Sequence, residues 1–212
     1  MKVSEIFYSI EGEGIAIGKP QVFIRLTACN LRCTWCDTKS ASDNGKLMTA
    51  DEIITQVSTY PCKNVSITGG EPLLQKQEVL ELVTKLKSKD FWIQLNTNGT
   101  IFNEDIFRII DLLTIDCKCP SSMMKSDVSI LKNVKESFDQ KSQLKFVIAN
   151  DEDFEYAEKM LAELNFETSI FQPEWRNKKY AKKIVEKVKT HSINTRIIIQ
   201  QHKVIWGNKK GK

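Results

Sequence analysis

The sequence predicts an α/β protein, an open or partial (incomplete) (β/α) barrel whose strands run mainly parallel. Three observations lead there: short β-type runs alternate with longer amphipathic segments, the alternation recurs along the whole chain, and chemically capable residues cluster just after the β-type runs. Such alternation joins parallel strands through right-handed crossovers. Six or seven strand–helix units are too few for a closed eight-fold barrel, which typically takes about 250 residues, and an open or partial barrel fits the 212 residues of this chain. In folds of this kind the chemistry gathers at the carboxyl ends of the strands. The same length favours one domain over residues 1–212.

Element by element, the chain opens on Met-Lys-Val-Ser-Glu and passes directly into an alternating segment, without the apolar stretch of a signal peptide. Residues 22–26, 65–67, 91–95, 112–115, 144–148, 168–171 and 196–199 read as strands, short and rich in β-branched and aromatic side chains. Thr49-Ala50-Asp51-Glu52 carries a capping box and starts a helix. Residues 76–87 set Val79, Leu82, Val83 and Leu86 on one helical stripe. Residues 151–164 do the same with Phe154, Ala157, Met160, Leu161 and Leu164. All these stripes read as core.

Composition narrows the function. A content of 41% hydrophobic and 27% charged residues is that of an ordinary soluble globular chain. The formal charge of +4 is spread out. The basic stretches at 176–179 and 209–212 have no aromatic ladder or binding motif beside them, so no nucleic-acid partner is expected. No run of about 18 apolar residues occurs, so neither a membrane span nor a membrane partner is expected and a cytoplasmic location is. Six cysteines in such a chain argue for metal or catalytic use rather than a disulfide framework.

Three of those cysteines, Cys29, Cys33 and Cys36, lie in a C-x3-C-x2-C loop just after a predicted strand, with no fourth Cys or His nearby. Structural zinc takes four closed ligands. An iron–sulfur cubane held by three soft, anionic thiolates leaves one iron open to chelate a ligand. The alternative is a zinc loop that borrows a distant ligand such as His202 or Cys62. Thr68-Gly69-Gly70-Glu71-Pro72 follows the next strand; its glycines permit close backbone approach, and Glu71 can accept from an ammonium. Asn96-Thr97-Asn98-Gly99-Thr100 and Asp116-Cys117-Lys118-Cys119-Pro120-Ser121-Ser122 end the two strands after that. Cys62, Cys117 and Cys119 are too few for a second cluster and read as buried or idle thiols.

The cysteine triplet together with Gly-Gly-Glu-Pro resembles the radical S-adenosylmethionine superfamily. Across nearly the whole chain the sequence resembles the 7-carboxy-7-deazaguanine synthase family. The resemblance runs from Ser9-Ile10-Glu11-Gly12-Glu13-Gly14 through Gly18-x-Pro20 and Val22-Phe23-Ile24-Arg25-Leu26 to Cys29-Asn30-Leu31-x-Cys33-x-Trp35-Cys36-Asp37-Thr38. It returns at Asp116-x-Lys118-x-Pro120-Ser121-Ser122, Leu144-Lys145-Phe146-Val147 and Gln201-His202-Lys203-x-x-Trp206-Gly207. Glu11 stands where the family usually has Gln, and Ala28 where Gly is common.

The resemblance implies a radical lyase that contracts 6-carboxy-5,6,7,8-tetrahydropterin to 7-carboxy-7-deazaguanine with loss of ammonia, a step of 7-deazapurine (queuosine-type) biosynthesis. It implies a 4Fe–4S cluster on Cys29, Cys33 and Cys36, and S-adenosylmethionine held by Trp35, Cys36, Asp37, Gly70, Glu71, Asp116, Cys117 and Lys118. Mg2+ is implied at Thr38, the pterin at Ile10, Glu11, Gly12, Arg25 and Thr68, and catalytic roles for Arg25, Glu13 and His202. An electron donor such as flavodoxin or ferredoxin and a homodimer are implied with them. A radical activase of a glycyl-radical protein is the competing reading. It shares the triplet but is not expected to carry the Ser-Ile-Glu-Gly-Glu-Gly opening or the Gln-His-Lys ending.

Overall fold

The computed structural model describes residues 1–38, 45–209 and 211. Lys210 and Lys212 of the basic tail lie outside the described residues. Nine strands among the described residues form one open sheet in the order β3-β1-β2-β4-β5-β6-β7-β8-β9. They are β1 (Lys2–Ile10), β2 (Pro20–Leu26), β3 (Lys46–Leu47), β4 (Asn64–Gly69), β5 (Trp92–Thr97), β6 (Leu112–Cys117), β7 (Ser142–Ile148), β8 (Ser169–Pro173) and β9 (Arg196–Ile197). Every neighbouring pair from β2 through β9 is parallel. Helices α1 (Ala50–Val57), α2 (Lys76–Lys87), α3 (Glu104–Ile109), α4 (Val128–Phe138), α5 (Asp151–Leu164), α6 (Ala181–Thr190) and α7 (Gln201–Trp206) fall between and after the strands. This is the expected partial barrel.

Two edges differ from the sequence expectation. The alternating N-terminal segment is a nine-residue strand, β1, that pairs antiparallel with β2, and β3 pairs antiparallel with β1. The run expected at 196–199 forms only the two-residue β9 at the far edge, where Ile198 N–H still donates to Phe171. β9 has one neighbour, and the outer side of β1 meets only the two-residue β3, so local pattern carries least information there.

The two faces of the sheet explain where the site lies. Along β5, Ile93 and Leu95 enter the apolar core while Gln94 and Asn96 point to the other face, the period-two alternation of a strand. The core side receives the stripes of the helices, including Ile53 and Val57 of α1, Leu82 and Leu86 of α2, and Phe154 and Ala157 of α5. Thr49 caps α1 through the capping box with Glu52, as its sequence predicts. The opposite face is polar and cross-linked. Gln21 donates to Gln94 (3.0 Å), Gln94 to Thr114 (3.2 Å), and Gln143 to Thr114 (2.6 Å). A buried polar layer of this kind is tolerated because its members, Gln21 Oε1 excepted, satisfy one another.

Candidate active site

A cavity of about 490 Å³ opens over that polar face, at the carboxyl ends of β2 and β4 to β8. Of the residues singled out in the sequence, Ile10, Glu11, Gly12, Glu13, Arg25, Cys29, Cys33, Trp35, Cys36, Asp37, Thr38, Thr68, Gly70, Asp116, Lys118 and His202 line it. Segments far apart in the chain are therefore gathered by topology alone.

The cysteine loop is positioned from two sides. Gly70 N–H donates to Leu26 O (3.0 Å) and Glu71 N–H to Ala28 O (2.8 Å), tying the Gly-Gly-Glu turn to the root of the loop. A Cβ on Gly69 would stand 2.1 Å from Leu26 O, and one on Gly70 1.8 Å from Ala28 O. The glycines are thus required by the chain's own backbone. On the other side, Thr34 N–H donates to Ser122 O (3.1 Å) and Trp35 Nε1–H to Ser121 Oγ (3.1 Å). Ser121 in turn donates through Oγ (2.6 Å) and N–H (2.8 Å) to Asp153 of α5. The Pro-Ser-Ser turn after β6 thereby acts as a bracket for the loop.

Cys29, Cys33 and Cys36 are free thiols on one wall of the cavity. Among the described residues no three of His, Cys, Asp or Glu converge as ligands of one metal ion. His202 lines the same cavity and Cys62 does not; the three thiolates of a cubane bind three different irons and need not meet at a point. Cys117 and Cys119 are fully buried in the core, and burial pushes the Cys117 thiol up to about 12. Thr38 is half-buried in the cavity wall, its Oγ1 3.6 Å from Cys36 Sγ.

A chain of charges lines the same cavity. Lys145 Nζ reaches Glu13 Oε2 (2.6 Å) and Asp116 Oδ2 (3.4 Å), and Lys118 Nζ reaches the same Asp116 oxygen (3.1 Å). Gln200 donates to Glu13 Oε1 (2.6 Å). Burial alone would raise the Glu13 pKa, but the Lys145 charge and hydrogen bond, with His202 and Gln200, hold it well below the usual carboxylate range. Burial lowers the His202 pKa despite the nearby Glu13, so its imidazole is neutral at pH 7. His202 occupies the space where a Gly12 side chain would be: a Cβ there would lie 1.9 Å from its Nδ1. Helix α7 is further tied to the cysteine loop by Lys203 and Asp37 (2.6 Å).

Two expected contacts are revised. The Glu71 carboxylate faces inward: it accepts from Leu73 N–H (3.0 Å), Thr97 Oγ1 (2.9 Å) and Asn98 N–H (2.7 Å), and does not line the cavity. Cys117 lies in the core, because side chains alternate along β6 and its neighbour Asp116 takes the cavity face. Glu11 keeps its place in the lining, with Oε1 accepting from Gly12 N–H (3.0 Å) and Glu13 N–H (3.2 Å), and its own N–H and carbonyl engaging Lys19 and Gly18. Conversely, Gln172, Glu174 and Trp175 at the end of β8 line the cavity unannounced by any motif. The only available signal was their position after a strand.

Comparison with known proteins agrees with this geometry. Residues 23–116 match the family model described as the Radical SAM superfamily. The 7-carboxy-7-deazaguanine synthase of Methanospirillum hungatei is 36% identical over 205 residues, covering 97% of this chain and 85% of that one. The enzyme of the same name from Clostridium acetobutylicum is 35% identical over 221 residues, covering 99% and 98%. Among solved structures, that of QueE from Escherichia coli superposes with a TM-score of 0.75 at 22% identity, covering 95% of this chain and 94% of the other. Streptococcus suis SuiB bound to S-adenosylmethionine gives 0.60 at 13% identity, covering 82% and 48%.

Proposed function

The chain belongs to the 7-carboxy-7-deazaguanine synthase family of radical S-adenosylmethionine enzymes, and on that premise we propose that its cavity contracts 6-carboxy-5,6,7,8-tetrahydropterin to 7-carboxy-7-deazaguanine with loss of ammonia. The observation that carries this reading is one cavity lined both by the cysteine triplet and by Arg25, Glu13 and His202. Cys29, Cys33 and Cys36 would hold a 4Fe–4S cluster, which together with S-adenosylmethionine would supply radical chemistry for hydrogen abstraction.

The chain's own groups do the rest. Trp35, Cys36, Asp37, Gly70, Asp116 and Lys118 form the S-adenosylmethionine side of the cavity, with Lys118 Nζ 5.2 Å from the Trp35 ring. Arg25 offers its fork to the pterin carboxylate. Ile10, Gly12 and Thr68 pack around the ring, and Glu13, kept as a carboxylate by Lys145, accepts from its N–H edge. His202, neutral and carried on α7, closes over the substrate. Thr38 would offer a hydroxyl to Mg2+, which would supply charge to orient the substrate carboxylate. The electron donor is a flavodoxin or ferredoxin, the assembly a homodimer and the location cytoplasmic. Among the described residues, no helix is long and apolar enough to cross a membrane.

The test is anaerobic incubation of the reconstituted enzyme with the carboxylated tetrahydropterin, S-adenosylmethionine, a reductant and Mg2+. The expected product mass is that of 7-carboxy-7-deazaguanine. Cleavage of S-adenosylmethionine with the pterin left unchanged would refute the reading.

A further inference from the structure

Arg25 differs from the other buried cations of the cavity in what remains of its hydrogen-bonding capacity. Lys118, Lys145 and Lys203 each point at one or more carboxylates of the chain. The Arg25 guanidinium is held by one nitrogen only: Nε donates to Glu5 Oε1 at 2.7 Å. Its two terminal nitrogens make no hydrogen bond among the described residues, although the side chain is only 18% exposed and lines the cavity. An arginine gripped at Nε presents its outer pair of N–H groups in a fixed plane, the arrangement that meets a carboxylate with two parallel hydrogen bonds.

The grip is built into the sheet. Glu5 and Arg25 are direct cross-strand partners of β1 and β2, and the ladder shifts register immediately beyond them, between Val3 and Glu5. Register shifts of this kind re-aim side chains beside functional sites. Two pairs further along, Phe7 stacks on Phe23 with ring centroids 5.1 Å apart, and the Arg25 guanidinium carbon lies 5.6 Å from the Phe7 centroid. The guanidinium is therefore confined on one edge by a carboxylate and on one face by an aromatic ring. Nothing in Glu5 itself reaches the cavity lining.

We propose that Glu5 is a positioning residue: it grips Arg25 at Nε so that the terminal guanidinium fork faces the cavity and selects ligands carrying a carboxylate. This rests on the reading of the cavity as a pterin site and adds to it the residue that sets carboxylate preference.

The experiment measures binding of pterin-6-carboxylate and of unsubstituted pterin to the reconstituted enzyme, by pterin fluorescence under anaerobic conditions, for wild type, Glu5→Ala and Glu5→Gln. Wild type should prefer the carboxylate, and Glu5→Ala should lose at least tenfold of that preference while unsubstituted pterin binds as before. Glu5→Gln keeps an oxygen for Nε and should restore most of it. Iron content and substrate-free cleavage of S-adenosylmethionine should be the same in all three, which a merely structural role for Glu5 would not leave untouched. A preference unchanged in Glu5→Ala overturns the proposal and leaves the pterin reading intact. Failure of wild type to bind either pterin overturns the pterin reading and the proposal with it.

Discussion

Replacing Glu11 by glutamine should make the protein more stable, and by an amount that depends on pH in a defined way. Glu11 is 6% exposed, and its Oε2 is buried without a hydrogen-bond partner. Burial, and then the charge of Glu13, raise its pKa from 4.5 to about 7 against the opposing pull of its hydrogen bonds to Glu13 and Gly12 and of Lys145. Below pH 4.5 the folded and unfolded chains both hold the proton, and the residue costs nothing. Between there and pH 7 the unfolded chain has released it while the fold retains it, so stability falls as pH rises. Above pH 7 both are ionised and the loss stays constant. The gap of about 2.5 units, at 1.36 kcal/mol each, sets that loss at roughly 3 kcal/mol. Glu11→Gln keeps an oxygen for the Gly12 and Glu13 N–H groups and has nothing to titrate. Urea denaturation of both proteins at pH 5, 6, 7 and 8 reads the difference directly, since all other titrations are shared. It should widen up to pH 7 and then level, reaching roughly 6–12 °C in Tm for a chain of this size. A difference independent of pH would refute the reasoning.

Three further outcomes follow from the geometry. Cys29→Ala, Cys33→Ala and Cys36→Ala should each abolish the cluster, whereas Cys62→Ala, Cys117→Ala and Cys119→Ala should keep about four irons per chain on reconstitution; iron analysis decides. Thr38→Val should weaken the dependence of turnover on Mg2+ and raise the substrate KM while leaving iron content and uncoupled S-adenosylmethionine cleavage unchanged. An unaltered Mg2+ titration would remove Thr38 from the metal site. Ala28 holds a left-handed backbone conformation, φ 65°, just before the first cluster cysteine. Ala28→Gly should therefore stabilise the fold by about 0.5–1 kcal/mol in denaturant titrations.

Much of this site was legible because its chemistry is local. Cys29, Cys33 and Cys36 share one loop, Gly69 and Gly70 one turn, and both follow strands whose hydrophobic runs mark them plainly. Helices α2 and α5 were legible to the residue because their stripes agree with their ends. What stayed hidden depends on pairing over distance. β1 is a strand because β2 lies beside it, and Glu5 matters only through a partner twenty residues away. Glu71 misleads for the same reason. A carboxylate after two glycines suggests a ligand contact, yet Thr97 and Asn98, brought alongside by the parallel pairing of β4 and β5, capture it first. Cys117 was placed by its motif rather than by strand alternation, which sends it to the core.

The bracket that runs from Trp35 through Ser121 to Asp153 has a consequence for the order of manufacture. A ribosome delivers the three cysteines early, but the anchor of their loop is absent until Asp153 of α5 has emerged and folded. A nascent chain halted before Asp153 should leave the thiols open to alkylation, and one halted well beyond it should shield them. Iron–sulfur loading then belongs to the closing stage of synthesis, and an interrupted chain would reach the delivery machinery with its cradle unmade.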